Sequence, residues 1–241
     1  MERDDLFTHF NGNYHAGNCV IIISGKIMPN TIQLLDKYLG TRIPKGQTIA
    51  PTFPIIKTQP KSIKIDLEGS QSAIRIGCRM FNKKNPDYNG LFVLNTILGG
   101  YFGSRLMMNI REDKGYTYNI FSGLDSMVHD GYFTIGTEVG NEYVENTLAE
   151  IYKEIDILQN DLVPLKELEM VQNYLLGNML TMLDGPMNIA DIIKSMVVEE
   201  IDFGRFKEVE HSINSITPET LRDLAQQYLV KENMWQVVVG A

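Results

Sequence analysis

Apolar residues recur along this chain at two spacings, and the switches between them predict its elements. Alternation with period two predicts strands. Ser62 to Leu67 sets Ile63, Ile65 and Leu67 against Lys64 and Asp66, which suits a strand with one wet face. Gln71 to Met80 alternates again, with Ile74, Ile76, Cys78 and Met80 on one side and Arg75 and Arg79 between them. Tyr118 to Leu124 and Gly131 to Val139 read as two strands, joined through Ser126 to Asp130 as a hairpin. Two runs are continuously apolar: Cys19 to Gly25 and Trp235 to Gly240. Such runs mark strands buried on both faces.

Steps of three and four predict helices. Val144, Leu148, Ile151, Ile155 and Leu158 draw the clearest apolar stripe. Asp4 to Phe10 makes one or two turns. Pro29 and Asn30 open a helix through Ile32, Leu35 and Leu39 that stops at Gly40, and Pro86 opens one through Leu91, Leu94 and Leu98 that stops at Gly99 and Gly100. Ser104 can cap the next, whose apolar side is Leu106, Met107 and Ile110. Pro164 opens a long helix through Leu168, Val171, Leu175 and Met179, ending near Asp184 and Gly185. Pro186 opens another through Ile189, Ile193 and Val197. A further helix runs from Phe203 to Ile213, and Thr217-Pro218-Glu219 starts the last, with Leu221, Leu224, Ala225 and Tyr228. The stretch 41–60, with Pro44, Pro51, Pro54 and Pro60, reads as an irregular crossing. The order predicts an α+β fold: a single mixed, mostly antiparallel sheet of about six strands with helices mainly on one face. No linker divides it, so the chain reads as a single domain over 1–241.

Composition changes this picture little. The 241 residues are 44% hydrophobic and 22% charged, and Lys+Arg of 22 against Asp+Glu of 30 leave a net charge of −8. There is no basic run, which argues against a nucleic-acid or anionic-membrane partner. No run approaches the ~20 apolar residues of a membrane span, and the charged N-terminus lacks the apolar core of a signal peptide. The compartment is therefore open: cytoplasmic, or periplasmic if an upstream signal exists. Cys19 and Cys78, both in apolar runs, read as buried free thiols.

Most chemistries find no support. His9, His15, His129 and His211 stand at no metal-ligand spacing. Lys207-Glu208-Val209-Glu210-His211 is an inverted zinc motif with its first His replaced by Lys, too few ligands for zinc. There is no G-x-S-x-G elbow. Gly99-Gly100-Tyr101-Phe102-Gly103 lacks the ending of a phosphate loop and follows a helix, not a strand. What remains is Arg105, Arg111, Tyr116 and Tyr118, in one stretch that runs from the glycine-rich turn through a helix, breaks at Gly115 and enters a strand. An arginine fork can grip a carbonyl and a tyrosine hydroxyl can donate to an oxyanion. A helix-end arginine complementing the dipole and a core aromatic on a strand account for Arg111 and Tyr118 equally well at this level.

Leu98 to Leu106 followed by Ile110-Arg111-Glu112-Asp113-Lys114-Gly115-Tyr116-Thr117-Tyr118 resembles the pitrilysin/insulinase/mitochondrial processing peptidase family of zinc metallopeptidases, and within it the non-catalytic, C-terminal type of domain. Tyr14 to Gly25, Gln71 to Gly77 and Thr217 to Gly240 resemble that domain's entry strand, second strand and closing elements. The resemblance implies a processing-peptidase-like metallohydrolase fold lining a peptide-binding chamber. It implies that zinc is carried by another domain or subunit, with no cofactor in this chain, so that this chain alone is inactive. It also implies that Arg111 and, seven positions later, Tyr118 reach that active site in trans to hold the substrate carbonyl and steady the oxyanion. Gly99, Gly100 and Gly103 match a place where some members recognise substrate. The expected partners are the zinc-bearing catalytic domain or subunit and a peptide substrate. The alternative is a catalytically inert peptide-binding or assembly subunit of the same fold.

Overall fold

Alternation along the strands sorts the protein's side chains into a packed face and an open one. In the structure, a computed structural model that describes residues 1–40, 42–47, 59–202 and 204–240, five strands form one sheet in the order β1-β5-β2-β4-β3. They are β1 (Ser62–Asp66), β2 (Gln71–Met80), β3 (Thr117–Ser126), β4 (Gly131–Gly140) and β5 (Trp235–Gly240). β1 runs parallel to β5, and the remaining pairs are antiparallel. The mixed, mostly antiparallel sheet expected from the pattern is therefore present.

The register places Ile74 opposite both Thr137 and Val238, and Ile76 opposite Ile135 and Gln236. These residues share one face, and Ile74, Ile76 and Ile135 are at most 1% exposed. The helices α3 (Tyr88–Asn95), α4 (Val144–Asn160), α5 (Leu165–Met182), α7 (Gly204–Ser215) and α8 (Pro218–Tyr228) contribute apolar residues to the same core, α3 packing on α7 and α8 and α4 on α8. The stripe on α4 is buried as its spacing requires, with Ile151 at 0% and Ile155 at 1% exposure. Burying such side chains stabilises the fold by roughly 1.5–3 kcal/mol each. The opposite face carries Arg75, Arg79, Phe121 and Tyr132 in the open.

The chain divides into two compact units. The sheet and its core belong to one, 56–180 with 199–241. The other joins 1–55 to 181–198 and contains α1 (Arg3–Asn13), α2 (Thr31–Leu35) and nearly all of α6 (Pro186–Glu199). Among its described residues His15 is the one buried side chain; its ring lies against Gly46, and the Ala16 amide donates to the Pro44 carbonyl at 2.8 Å.

Three expectations fail here: the strand at Cys19 to Gly25, the buried thiol at Cys19 and the cap at Ser104. Cys19 to Gly25 forms no strand: Val20 is 67% exposed and Ile21 49%, and Cys19 is an exposed thiol. A strand exists only against a neighbour, and the sheet ends at β1 and β3 without this segment. Ser104 does not cap the helix that follows it, because its hydroxyl is buried with no partner. Most of the crossing at 41–60, and Phe203, lie outside the described residues.

Candidate functional site

The site grows out of one continuous stretch. α3 passes into a π-helical turn, Thr96–Gly100, and the chain reverses through Tyr101 to Ser104 into a second π-helical segment, Met107–Asp113. Gly99 is buried there because a Cβ at this position would stand 2.6 Å from the Ser122 amide nitrogen of β3. Gly100 is exposed, and Gly103 lies against the Tyr101 ring. Met107 and Ile110 anchor the second segment in the core, which leaves Arg111 on its outer side. Gly115 then turns the chain with φ +66°, a left-handed conformation that glycine adopts without a Cβ penalty. The Tyr116 amide donates back to the Ile110 carbonyl at 3.0 Å.

The structure brings Arg111 and Tyr118 together. The Arg111 guanidinium carbon sits 5.6 Å from the Tyr118 ring centre and 4.6 Å from that of Phe102, distances at which ring faces attract a cation. One N–H group donates to Glu112 at 2.6 Å. Among the described residues the Tyr118 hydroxyl has no hydrogen-bond partner, and the residue is 88% exposed. Phe102, 66% exposed, is the member that sequence reasoning missed. Its signal, an aromatic flanked by glycines with no apolar spacing to satisfy, is legible only once the turn is known to face Arg111.

Tyr118 is not a core aromatic, and a bulge explains why. Thr117 pairs with Val139 and Ile120 with Thr137, so three steps on β3 match two on β4. In a regular strand Tyr118 would share the inward side of Ile120 and Ser122, both buried. The extra residue breaks that parity and turns Tyr118 and Asn119 outward.

The other candidates are occupied. Arg105 donates through Nε and Nη2 to both carboxylate oxygens of Glu167, at 2.9 and 2.8 Å. Tyr116 stacks on Tyr143 with ring centres 4.8 Å apart. Cys78 is buried in β2, and burial pushes its thiol up to about 11, so at neutral pH it is no nucleophile. Among the described residues no three His, Cys, Asp or Glu side chains gather as metal ligands, and no helix is long and apolar enough to cross a membrane. By itself the arrangement can orient and polarise a carbonyl, but it holds no group that attacks one.

Comparison with known proteins places the chain in a family. The model of the peptidase M16 inactive domain matches residues 1–175. The chain belongs to that family. Among the relatives of this M16 inactive domain is an uncharacterized zinc protease, YmxG, of Bacillus subtilis (strain 168), 25% identical over 232 residues that cover 95% of this chain and 56% of the relative. The peptidase M16 inactive domain from Pseudomonas fluorescens superposes with a TM-score of 0.86 at 24% identity, covering 100% of this chain and 58% of the other. A protease from Helicobacter pylori gives 0.87 at 15% identity, covering 99% and 59%. The chain thus spans little more than half the length of these three proteins, and the likenesses of structure establish its fold.

Proposed function

We propose that this chain is the non-catalytic half of a zinc metalloendopeptidase. In this reading the open sheet face lines a peptide-binding chamber, and Arg111 and Tyr118 are supplied to an active site whose zinc is carried by another domain or subunit. The observation that carries it is Tyr118, turned out of the core by a bulge and held beside an arginine most of whose donors have no partner among the described residues. A scaffold needs neither a solvated tyrosine nor an unspent guanidinium.

Zinc on the partner would supply the activated water. Arg111 would hold the carbonyl of the scissile peptide through its free N–H groups, and the Tyr118 hydroxyl would donate to the oxygen as it takes up charge. The exposed rim at Gly100 and Phe102 would border the bound peptide, whereas Gly99, buried against Ser122, would shape the turn instead. The test is to mix the chain with an H-x-x-E-H-bearing half and follow cleavage of a peptide. Turnover should require both halves and fall with Arg111→Ala and Tyr118→Phe. Turnover untouched by either substitution would leave the inert peptide-binding or assembly subunit as the function.

A further inference from the structure

We propose that Thr117, with Thr137, is a positioning residue that holds the β3 bulge open and thereby keeps Tyr118 beside Arg111. This rests on the reading of Tyr118 given above. A bulge takes backbone groups out of the ladder, and groups so released take other partners. Here two hydroxyls provide them. The Thr117 hydroxyl donates to the Glu138 carbonyl at 2.7 Å, with the Asn119 carbonyl also near at 3.0 Å, and accepts from the Asn119 amide at 3.2 Å. The Thr137 hydroxyl reaches the Asn119 carbonyl at 2.9 Å and lies 2.9 Å from the Thr117 hydroxyl. Thr137 is 3% exposed, so water has little access to replace it.

Two hydroxyl protons serve this set. Thr117 gives its proton to the Glu138 carbonyl and receives the Asn119 N–H. Thr137 shares its proton between the Asn119 carbonyl and the Thr117 hydroxyl. Apart from the hydroxyl–hydroxyl contact, each bond in the set ties a backbone group at the bulge to a hydroxyl, and the residue between Thr117 and Asn119 is Tyr118. Without the hydroxyls, these groups turn to water, to which Asn119 is exposed, or re-enter the ladder by a one-residue slip. A slip of one residue exchanges the faces of the strand, and Tyr118 would then share the side of Ile120.

Two measurements test this. In the chain alone, Thr117→Val should speed hydrogen exchange of the Asn119 amide by about tenfold, while the β2–β4 amides stay protected and Thr117→Ser restores the slow rate. Thr117→Ala serves if the valine variant does not fold. In the chain mixed with the zinc-bearing half, Thr117→Val should lower kcat as far as Tyr118→Phe does, with KM little changed. The double variant should be no worse than either single, the non-additivity expected of a residue acting through another. Unchanged exchange at Asn119, or losses that multiply in the double variant, would overturn the assignment. If Tyr118→Phe itself leaves turnover intact, it is the catalytic reading that fails; the exchange result still decides what Thr117 does to the bulge.

Discussion

Arg105 and Arg111 leave the same stretch six positions apart and meet opposite surroundings. Arg105 is locked by both oxygens of Glu167, with side-chain exposures of 15% and 24% for the pair. Arg111, with a side-chain exposure of 24%, lies over two aromatic rings and beside one neighbouring carboxylate, and the rest of its fork has no partner among the described residues. Both lie on the helical side of Gly115, Arg105 followed by apolar residues and Arg111 by Glu112 and Asp113. What separates them is a glutamate from α5, brought in by the fold, that reaches one and not the other. A planar bidentate pair fixes a guanidinium for structure, and an arginine held by ring faces and one carboxylate oxygen keeps most of its donors for a ligand.

The comparison can be broken at several points. The largest effect should come from Arg111→Ala: kcat/KM of the assembled protein falls about 10³-fold, as when a transition-state donor is removed, while the unfolding free energy of the chain falls by only about 1 kcal/mol, the worth of ring contacts and an exposed ion pair. Arg105→Ala should do the reverse. It leaves Glu167 without its partner and lowers stability by about 3 kcal/mol, near the low end for a broken buried pair because both side chains keep some water. Urea unfolding measures this, and Arg105→Lys should recover only part of it, since a lysine cannot form the planar fork. A stability loss from Arg111→Ala as large as that from Arg105→Ala would erase the distinction. Tyr118→Phe should cost about tenfold to a hundredfold in kcat without moving the unfolding midpoint. The smallest change is Gly115→Ala. The space around a Cβ there is open, so the cost is the left-handed backbone alone, about 1 kcal/mol by denaturant unfolding.

Much of the fold was legible in the sequence because its signals are local. The alternation of Gln71 to Met80 and the stripe from Val144 to Leu158 describe surfaces that a core must cover, and β2 and α4 follow them closely. The features that were not legible depend on a neighbour. Cys19 to Ser24 has the residues of a strand and no strand beside it. Ser104 has the residue type of a cap, but its hydroxyl is buried and bonded to nothing. The pairing of Arg111 with Tyr118 came from resemblance, and period-two parity alone would have sent Tyr118 inward. The bulge that corrects this adds a single residue whose effect appears only against the register of β4. Phe102 escaped notice for a related reason: its partner is set by how a turn folds back, not by spacing.

The exposed apolar run also has a consequence for handling the protein. Cys19 to Ser24 is six residues long, uncharged, rich in β-branched side chains and free of proline, with Val20, Ile21 and Ile23 open to water. Segments of that composition stack on copies of themselves. The first nearby charge is Lys26, beyond Gly25, and charged flanks of this kind slow such stacking. A charge introduced at Ile21 would raise the solubility limit without touching the packed sheet, because this side chain takes no part in the core.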